Sequence, residues 1–294
     1  MTMSAPSSPA EEILWREAVW AELQSHPMWP DLPPEVLREK KLYAGQAGIY
    51  ADMARTRAIS SVGIAVSVLH TGQHYADDVD EDGIIYHYPT TGRKGHDANE
   101  IESVKNAQRL NIPVFVIVQK GTKRQVKRAW VTGSDDTAKL FLFEFNSTSE
   151  SALRFEPDRN SLFIPHVDRP KTAYQVLKRD RNPKFKFEIL KRYNNRCALS
   201  GLSVIEMLDG AHVIPVEKGG SDDVRNGLLL SASLHRAFDA NLWAINPDNL
   251  KIETRDRGPS LEKMRINVES LEGLSFIPDV EALKFRYRAF QEAS

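Results

Sequence analysis

The sequence predicts an α+β protein of two domains: a bent β-sheet or barrel with helical cover, then a smaller unit built on a hairpin and a helix. Three observations carry that prediction. Short apolar, β-branched runs follow one another between residues 42 and 165. One segment among them, ANEIESVKNAQRLN (98–111), places Ile101, Val104, Ala107 and Leu110 at helical spacing. Near residue 166 the texture turns basic, and beyond it lies HVIPVEKGGSDDVRNGLLLSASLHRAFD (212–239), where two histidines flank a Gly-Gly turn and an asparagine. At 294 residues, 41% hydrophobic and 27% charged, the chain is long enough for two globular domains and too apolar for wholesale disorder.

The elements follow in order. Residues 10–26 (AEEILWREAVWAELQSH) read as a helix with Trp15, Val19 and Leu23 on one face. Pro30, Pro33 and Pro34 then break the chain, so residues 1–41 form a tail and a helix ahead of the first domain. AISSVGIAVSVL (58–69) has a strand pattern interrupted by Gly63. IPVFVIVQ (112–119) is a continuous apolar run, as a strand buried on both faces requires. VKRAWV (126–131), KLFLFEF (139–145) and SLFIP (161–165) continue the series, so the first domain spans 42–166. Residues 167–184 make a basic connector, helical in pieces and broken at Pro183, and 185–294 make the second domain.

Composition excludes several classes. No apolar run approaches the roughly 18 residues of a membrane span. The start, MTMSAPSSPAEE, lacks the basic region and apolar core of a signal peptide, so the cytoplasm is the default compartment and no membrane partner is expected. Cys197 is the only cysteine, which leaves no intramolecular disulfide and no thiolate pair for a structural zinc. The formal net charge of −1 hides segregation. Between Lys171 and Arg196, basic residues including Lys178, Arg179 and Arg192 are opposed only by Asp180 and Glu188, a candidate phosphate-facing surface.

Residues 212–239 suit phosphodiester hydrolysis. That reaction needs a base for water, stabilisation of a pentacovalent phosphorus and help for the leaving oxygen. A neutral imidazole supplies the first near neutral pH, and one divalent cation can supply the other two. His212, ahead of Val213-Ile214-Pro215, falls at a strand end. Gly219-Gly220 and Ser221-Asp222-Asp223 make a turn, Asn226-Gly227 leads into a second strand, and Ser231 or Ser233 caps a helix carrying His235. Asp239 lies one turn beyond His235 on the same helix face, so both can reach one metal ion. Asn226 ties the loop down through its side chain.

Residues 190–247, from RYNNRCALSG through LDGAHVIP, GGSDDVRNGLLL and LHRAFDANLWAI, resemble the HNH endonuclease family, the ββα-metal nucleases, in the branch with an A-H-[IV]-x-P first block. The resemblance implies that His212 is the general base and His235 a metal ligand, and that Asn226 holds the loop and helps orient His212. It also implies one divalent metal per nuclease site, Mg²⁺ or Mn²⁺ foremost. Many members carry a ligand immediately before the base, where this chain has Ala211. Either Asp209 or Asp239 completes the metal site, and the helical spacing favours Asp239. The paired CxxC knuckles of many relatives have no counterpart in a chain with one cysteine, so this fold relies on packing.

HYADDVDEDGIIYHY (74–88) crowds Asp77, Asp78, Asp80, Glu81 and Asp82 between tyrosines. The spacing is a poor match to a calcium loop. A carboxylate can instead accept a hydrogen bond from the exocyclic amine of cytosine. Reaching that edge in a duplex means taking the base out of the stack, and aromatic rings then sandwich it. Together with Gly48-Ile49 and Ala58-Ile59-Ser60, the block Tyr75-Ala76-Asp77-Asp78-Val79-Asp80 followed by Ile84-Ile85-Tyr86 resembles the SRA (SET- and RING-associated) domain, a PUA-like fold that reads modified cytosine, over about residues 42–165. The resemblance implies that Tyr75 and Tyr86 stack on a flipped base while Asp78 contacts its Watson–Crick edge. The family has one more residue before its second Tyr, so Tyr88 competes with Tyr86, and His87 stays open. HYPTTGRKG replaces the family's Y-T-G-x-G-G, and Arg93 and Lys94 there suit contacts to the DNA backbone.

The two resemblances together imply a bacterial, modification-dependent restriction endonuclease of the SRA–HNH type. It would bind double-stranded DNA carrying 5-methylcytosine or 5-hydroxymethylcytosine, as a homodimer or by successive nicks. Two other readings fit the same residues. One is a non-catalytic modified-DNA-binding protein with a degenerate HNH half, and the other a nuclease gated by another nucleic acid or a nucleotide.

Overall fold

A computed structural model of the protein describes residues 5–43, 48–72, 78–93, 95–145, 162–167 and 182–293. The chain divides into two compact units, Met1–Phe155 and Glu156–Ser294. Both mix helix and strand.

The first unit carries α1 (Pro9–Gln24), α2 (Pro34–Glu39), β1 (Ile49–Ala51), α3 (Met53–Thr56), β2 (Ala65–His70), β3 (Asp78–Val79), β4 (Gly83–His87), α4 (His96–Arg109), β5 (Val114–Lys120), β6 (Lys123–Asp135) and β7 (Leu140–Phe145). Its strands form one seven-stranded sheet in the order β1-β2-β5-β6-β7-β4-β3. The continuous apolar run of β5 has the cause its pattern suggests, since the strand lies between β2 and β6 and is covered on both faces. Val114 and Val116 join a core with Val104 and Ala107 of α4. Phe115 and Ile117 face the other way, into a core with Val19 and Leu23 of α1 and Leu37 of α2.

The N-terminal helix, set apart from the first domain by the sequence, is built into it. Glu12 and Arg16 are fully buried and paired at 2.7 Å. Arg16 Nη1 donates to the carbonyls of Ala65 and Pro113, which ties α1 to the start of β2 and to the approach to β5. The strand expected over 58–69 shortens to Ala65–His70. Gly63 sits at φ +76°, its carbonyl accepts from Asn106 Nδ2, and the Ile64 N–H donates to Thr56 Oγ1. Those backbone groups are therefore committed to a turn.

The second unit holds α5 (Pro183–Arg192), β8 (Leu208–His212), β9 (Gly227–Ser231), α6 (Ala232–Asp239), β10 (Trp243–Ile245), β11 (Ile252–Thr254) and α7 (Val280–Glu292). β8 and β9 form an antiparallel hairpin running from Leu208↔Ser231 to His212↔Gly227. Helices cover both its faces, which is why Leu228, Leu229 and Leu230 can be apolar in succession and wholly buried. Gly210 and Gly227 let α5 approach closely, for a Cβ on Gly227 would stand 2.2 Å from Ile189.

Two boundaries differ from the sequence reading. Pro183 opens α5 rather than breaking a helix, because at the first position its missing N–H is not needed and its φ is already helical. Residues 162–165 form no strand of the sheet: Leu162 and Ile164 stay exposed, and the chain pairs inside the second unit through His166↔Gly220 and the Ser221 N–H to the Pro165 carbonyl. Their apolar alternation mimicked an inward face that the fold does not give them.

Candidate active site

His212 is the last residue of β8, and the loop after it is fastened by one side chain. Asn226 is fully buried. Its Oδ1 accepts from the Ile214 N–H at 2.8 Å, and its Nδ2 donates to the carbonyls of Ser221 at 2.9 Å and Ile214 at 3.2 Å. The Gly-Gly turn answers a steric demand. Gly219 sits at φ +80°, and a Cβ on Gly220 would lie 1.9 Å from the Ile214 carbonyl oxygen. Asn226 therefore fastens the loop that follows His212. The His212 ring itself is held by Asp222, whose Oδ1 lies 2.8 Å from Nε2, and by Phe185 of α5, stacked at 3.8 Å between centroids and 10° between planes.

Asp222 was read in the sequence only as a turn residue. Nothing in the local pattern separates it from Asp223, which instead caps the Arg225 N–H and pairs with the Arg225 guanidinium. Phe185 falls in a stretch dominated by basic residues, and no pattern there marks it for the site.

His235 stands one turn into α6, whose N-cap is Ser231 accepting from the Leu234 N–H. Its Nδ1 lies 3.1 Å from Asp209 Oδ2, and its Nε2 lies 3.6 Å from Asp239 Oδ2. Both carboxylates proposed for a metal thus meet the same imidazole, from opposite sides. Strand alternation explains the partition: Asp209 faces α6, whereas Gly210 and His212 face α5. Ala211 is fully buried and offers no donor. An imidazole nitrogen beside a carboxylate oxygen suits a divalent cation such as Mn²⁺ or Mg²⁺. The separation of Nε2 from the Asp239 carboxylate suits two ligands of one ion, and a carboxylate on Nδ1 is the usual orienting partner of a ligating histidine.

Among the described residues, three ligand atoms come within 4.8 Å of one another only at His96, Asp97 and Glu100, at the start of α4. The oxygens of Asp97 are already engaged by Thr91 and the Gly92 N–H, a clamp on the preceding loop.

In the first unit, Tyr86 and Tyr88 point into the core beside Ile84. The Tyr86 hydroxyl lies 3.1 Å from the Gly48 carbonyl and 3.2 Å from that of Leu69. Tyr88 packs on Phe141 at 4.2 Å between centroids and donates to Asp136, which also takes the Lys105 ammonium. Burial, with that hydrogen bond, pushes the Tyr88 phenol up. Each tyrosine is only 5% exposed, so both rings are core aromatics as the domain stands. The backbone of Asp78 opens β3 opposite Ile85. Tyr75, Lys94, Lys178 and Arg179 lie outside the described residues. Arg93 is exposed in the loop before α4, and Arg192 lies over the Phe276 ring at 4.7 Å.

Residues 197–246 match the family model for HNH endonucleases. The second unit carries an HNH endonuclease domain. His212, Asn226, His235 and Asp239 all fall inside the matched span, and the domain makes the chain a metal-dependent DNA endonuclease by class. No curated protein gives a significant match. Among solved structures, a modification-dependent TagI restriction endonuclease aligns over 91% of this chain and 94% of its own, at 18% identity and a TM-score of 0.35. A complex of SUVH5 SRA with hemi-methylated CG DNA aligns over 38% of this chain and 79% of its own, at 20% identity and a TM-score of 0.27. The type IV phosphorothioation-dependent restriction endonuclease ScoMcrA aligns over 69% and 54%, at 14% identity and a TM-score of 0.25. No helix among the described residues is long and apolar enough to cross a membrane.

Proposed function

We propose that the chain is a modification-dependent DNA endonuclease: its first unit reads a C5-modified cytosine taken out of the duplex, and its HNH domain hydrolyses a nearby phosphodiester. The observation that carries the nuclease half is the pairing of His235 Nε2 with Asp239 on one helix face, inside the HNH span, next to a strand that ends in His212. His212 acts as general base on the attacking water. His235 and Asp239 hold a divalent cation, with Asp209 orienting the His235 ring. When bound, that cation supplies charge stabilisation at the phosphate and at the departing oxygen. Asn226 keeps the loop after His212 in place.

The reading half rests on the Y-x-D-D-x-D block and the tyrosines after it. Asp78 meets the Watson–Crick edge of the base, and Tyr75 with Tyr86 or Tyr88 supplies the stacking faces. Because Tyr86 and Tyr88 are buried, binding a base between such rings requires the loops around β3 and β4 to open. Arg93, Lys94, Lys178, Arg179 and Arg192 contribute backbone contacts. One site cuts one strand, so a double-strand break takes a homodimer or two successive nicks.

His212→Ala tests the division of labour. It should abolish Mg²⁺- or Mn²⁺-supported cleavage and leave the affinity for modified duplex in a gel-shift titration unchanged. Loss of binding together with cleavage would contradict two separable roles.

A further inference from the structure

The ring of His212 sits in a holder that has parts from two places in the chain. Asp222, in the loop after the Gly-Gly turn, lies 2.8 Å from Nε2. Its other oxygen accepts from Asn182 Nδ2 at 3.0 Å. Asn182 is the N-cap of α5, its Oδ1 accepting from the N–H groups of Lys184 and Phe185. Phe185, three residues on, is the ring stacked on His212. The contacts close a circuit from His212 through Asp222, Asn182 and the first turn of α5 back to His212. The His212 side chain is 12% exposed, and its Nδ1 has no hydrogen-bond partner among the described residues.

We propose that Asp222 is the positioning residue of the general base: it keeps the imidazole proton on Nε2 and so leaves Nδ1 as the nitrogen that takes a proton from water. An ionised carboxylate can only accept, so the nitrogen facing it must be the one carrying hydrogen. Asn182 fixes the second carboxylate oxygen, and Phe185 blocks rotation of the ring out of plane. As the water oxygen bonds to phosphorus, its proton passes to Nδ1, the P–O3′ bond breaks, and the departing oxygen is protonated from solvent. The imidazolium so formed faces the negative charge of Asp222, which itself stays ionised. This assignment rests on His212 being the base, as proposed above. It extends that reading to a residue outside the histidines and asparagine of the motif, and it ties the base to the helix that opens the domain.

The test is made on the full chain with two independent readouts. The first is the ¹⁵N spectrum of ring-labelled histidine, with His212 assigned by its loss in His212→Ala. The second is the single-turnover rate of metal-supported cleavage. In the wild type, Nε2 should carry the proton and Nδ1 should not. Asp222→Asn offers an amide N–H to Nε2, so the proton should move to Nδ1 and the rate should fall by about 10⁴-fold, the scale seen when the carboxylate of a Ser-His-Asp triad becomes an amide. Asp222→Glu, which keeps the acceptor, should restore the wild-type tautomer and most of the rate. A wild-type His212 protonated on Nδ1 would overturn the proposal, and so would an Asp222→Asn variant with unchanged tautomer and rate. If no variant, the wild type included, cuts any DNA, the nuclease reading fails and the general-base role falls with it, while the ¹⁵N spectrum still shows whether Asp222 sets the His212 tautomer.

Discussion

At the scale of single residues, the Asn226 side chain is committed wholly to the backbone around it. Its three side-chain hydrogen bonds go to backbone groups of the loop between Ile214 and Ser221, and none to His212. Asn226→Ala leaves a buried N–H without its acceptor and should lower stability by about 2–3 kcal/mol in a denaturant titration. An unchanged midpoint would mean that the loop holds itself. The two carboxylates around His235 separate by the same reasoning. Asp239→Ala should abolish Mn²⁺ binding by calorimetry, while Asp209→Ala, which removes the partner on Nδ1, should weaken it by about 10–100-fold. Equal losses would make both of them ligands.

Asp223 supplies a pH test. Burial opposes its charge, but hydrogen bonds from the Arg225 guanidinium and N–H outweigh that and hold its carboxyl below the usual range. A depressed folded-state pKa gives stability that is present above the unfolded value near ~3.9 and is lost as pH falls through the folded one. The melting temperature of Asp223→Asn should therefore fall short of the wild type at pH 7 and converge with it toward pH 3. The residue scale is also where the sequence was least legible. The resemblance to the HNH pattern singles out His212 and His235, and helical spacing places Asp239 one turn beyond His235. Asp222, by contrast, becomes distinct from Asp223 only once the loop has folded back onto the strand end.

At the scale of elements, pattern and structure agree wherever burial on both faces leaves a mark. The runs of β5 and β9 are continuous because cores lie on each side of them. The pattern misled where apolar residues occur without a partner, as at Leu162 and Ile164, or where side chains take the backbone bonds of a would-be strand, as Thr56 and Asn106 do around Gly63. The Gly-Gly turn of residues 212–239 is legible in the sequence only in part. Gly219 needs its positive φ, a familiar demand, but Gly220 needs the absence of a Cβ against the Ile214 backbone. Gly220→Ala should thus cost about 3 kcal/mol or more, since backbone must move. Gly219→Ala should cost about 1–2 kcal/mol for the left-handed conformation. Thermal melts of the two variants give the order, and a milder Gly220→Ala would show that the loop can shift without loss.

At the scale of the whole molecule, the chain joins a sheet-based unit to an HNH endonuclease domain. A net charge of −1 would not have suggested a DNA enzyme, because acids of the first half mask the bases that precede and open α5. The proposed function makes cleavage by the HNH domain conditional on a modified base held by the first unit. The most direct measurement is cleavage of one duplex prepared with cytosine, 5-methylcytosine or 5-hydroxymethylcytosine at a single site, in Mg²⁺ and in Mn²⁺, with an EDTA control. Metal-dependent cutting should be confined to a modified duplex and abolished by EDTA. Equal cutting of all three duplexes would contradict it, leaving a nuclease whose first unit does not read the base.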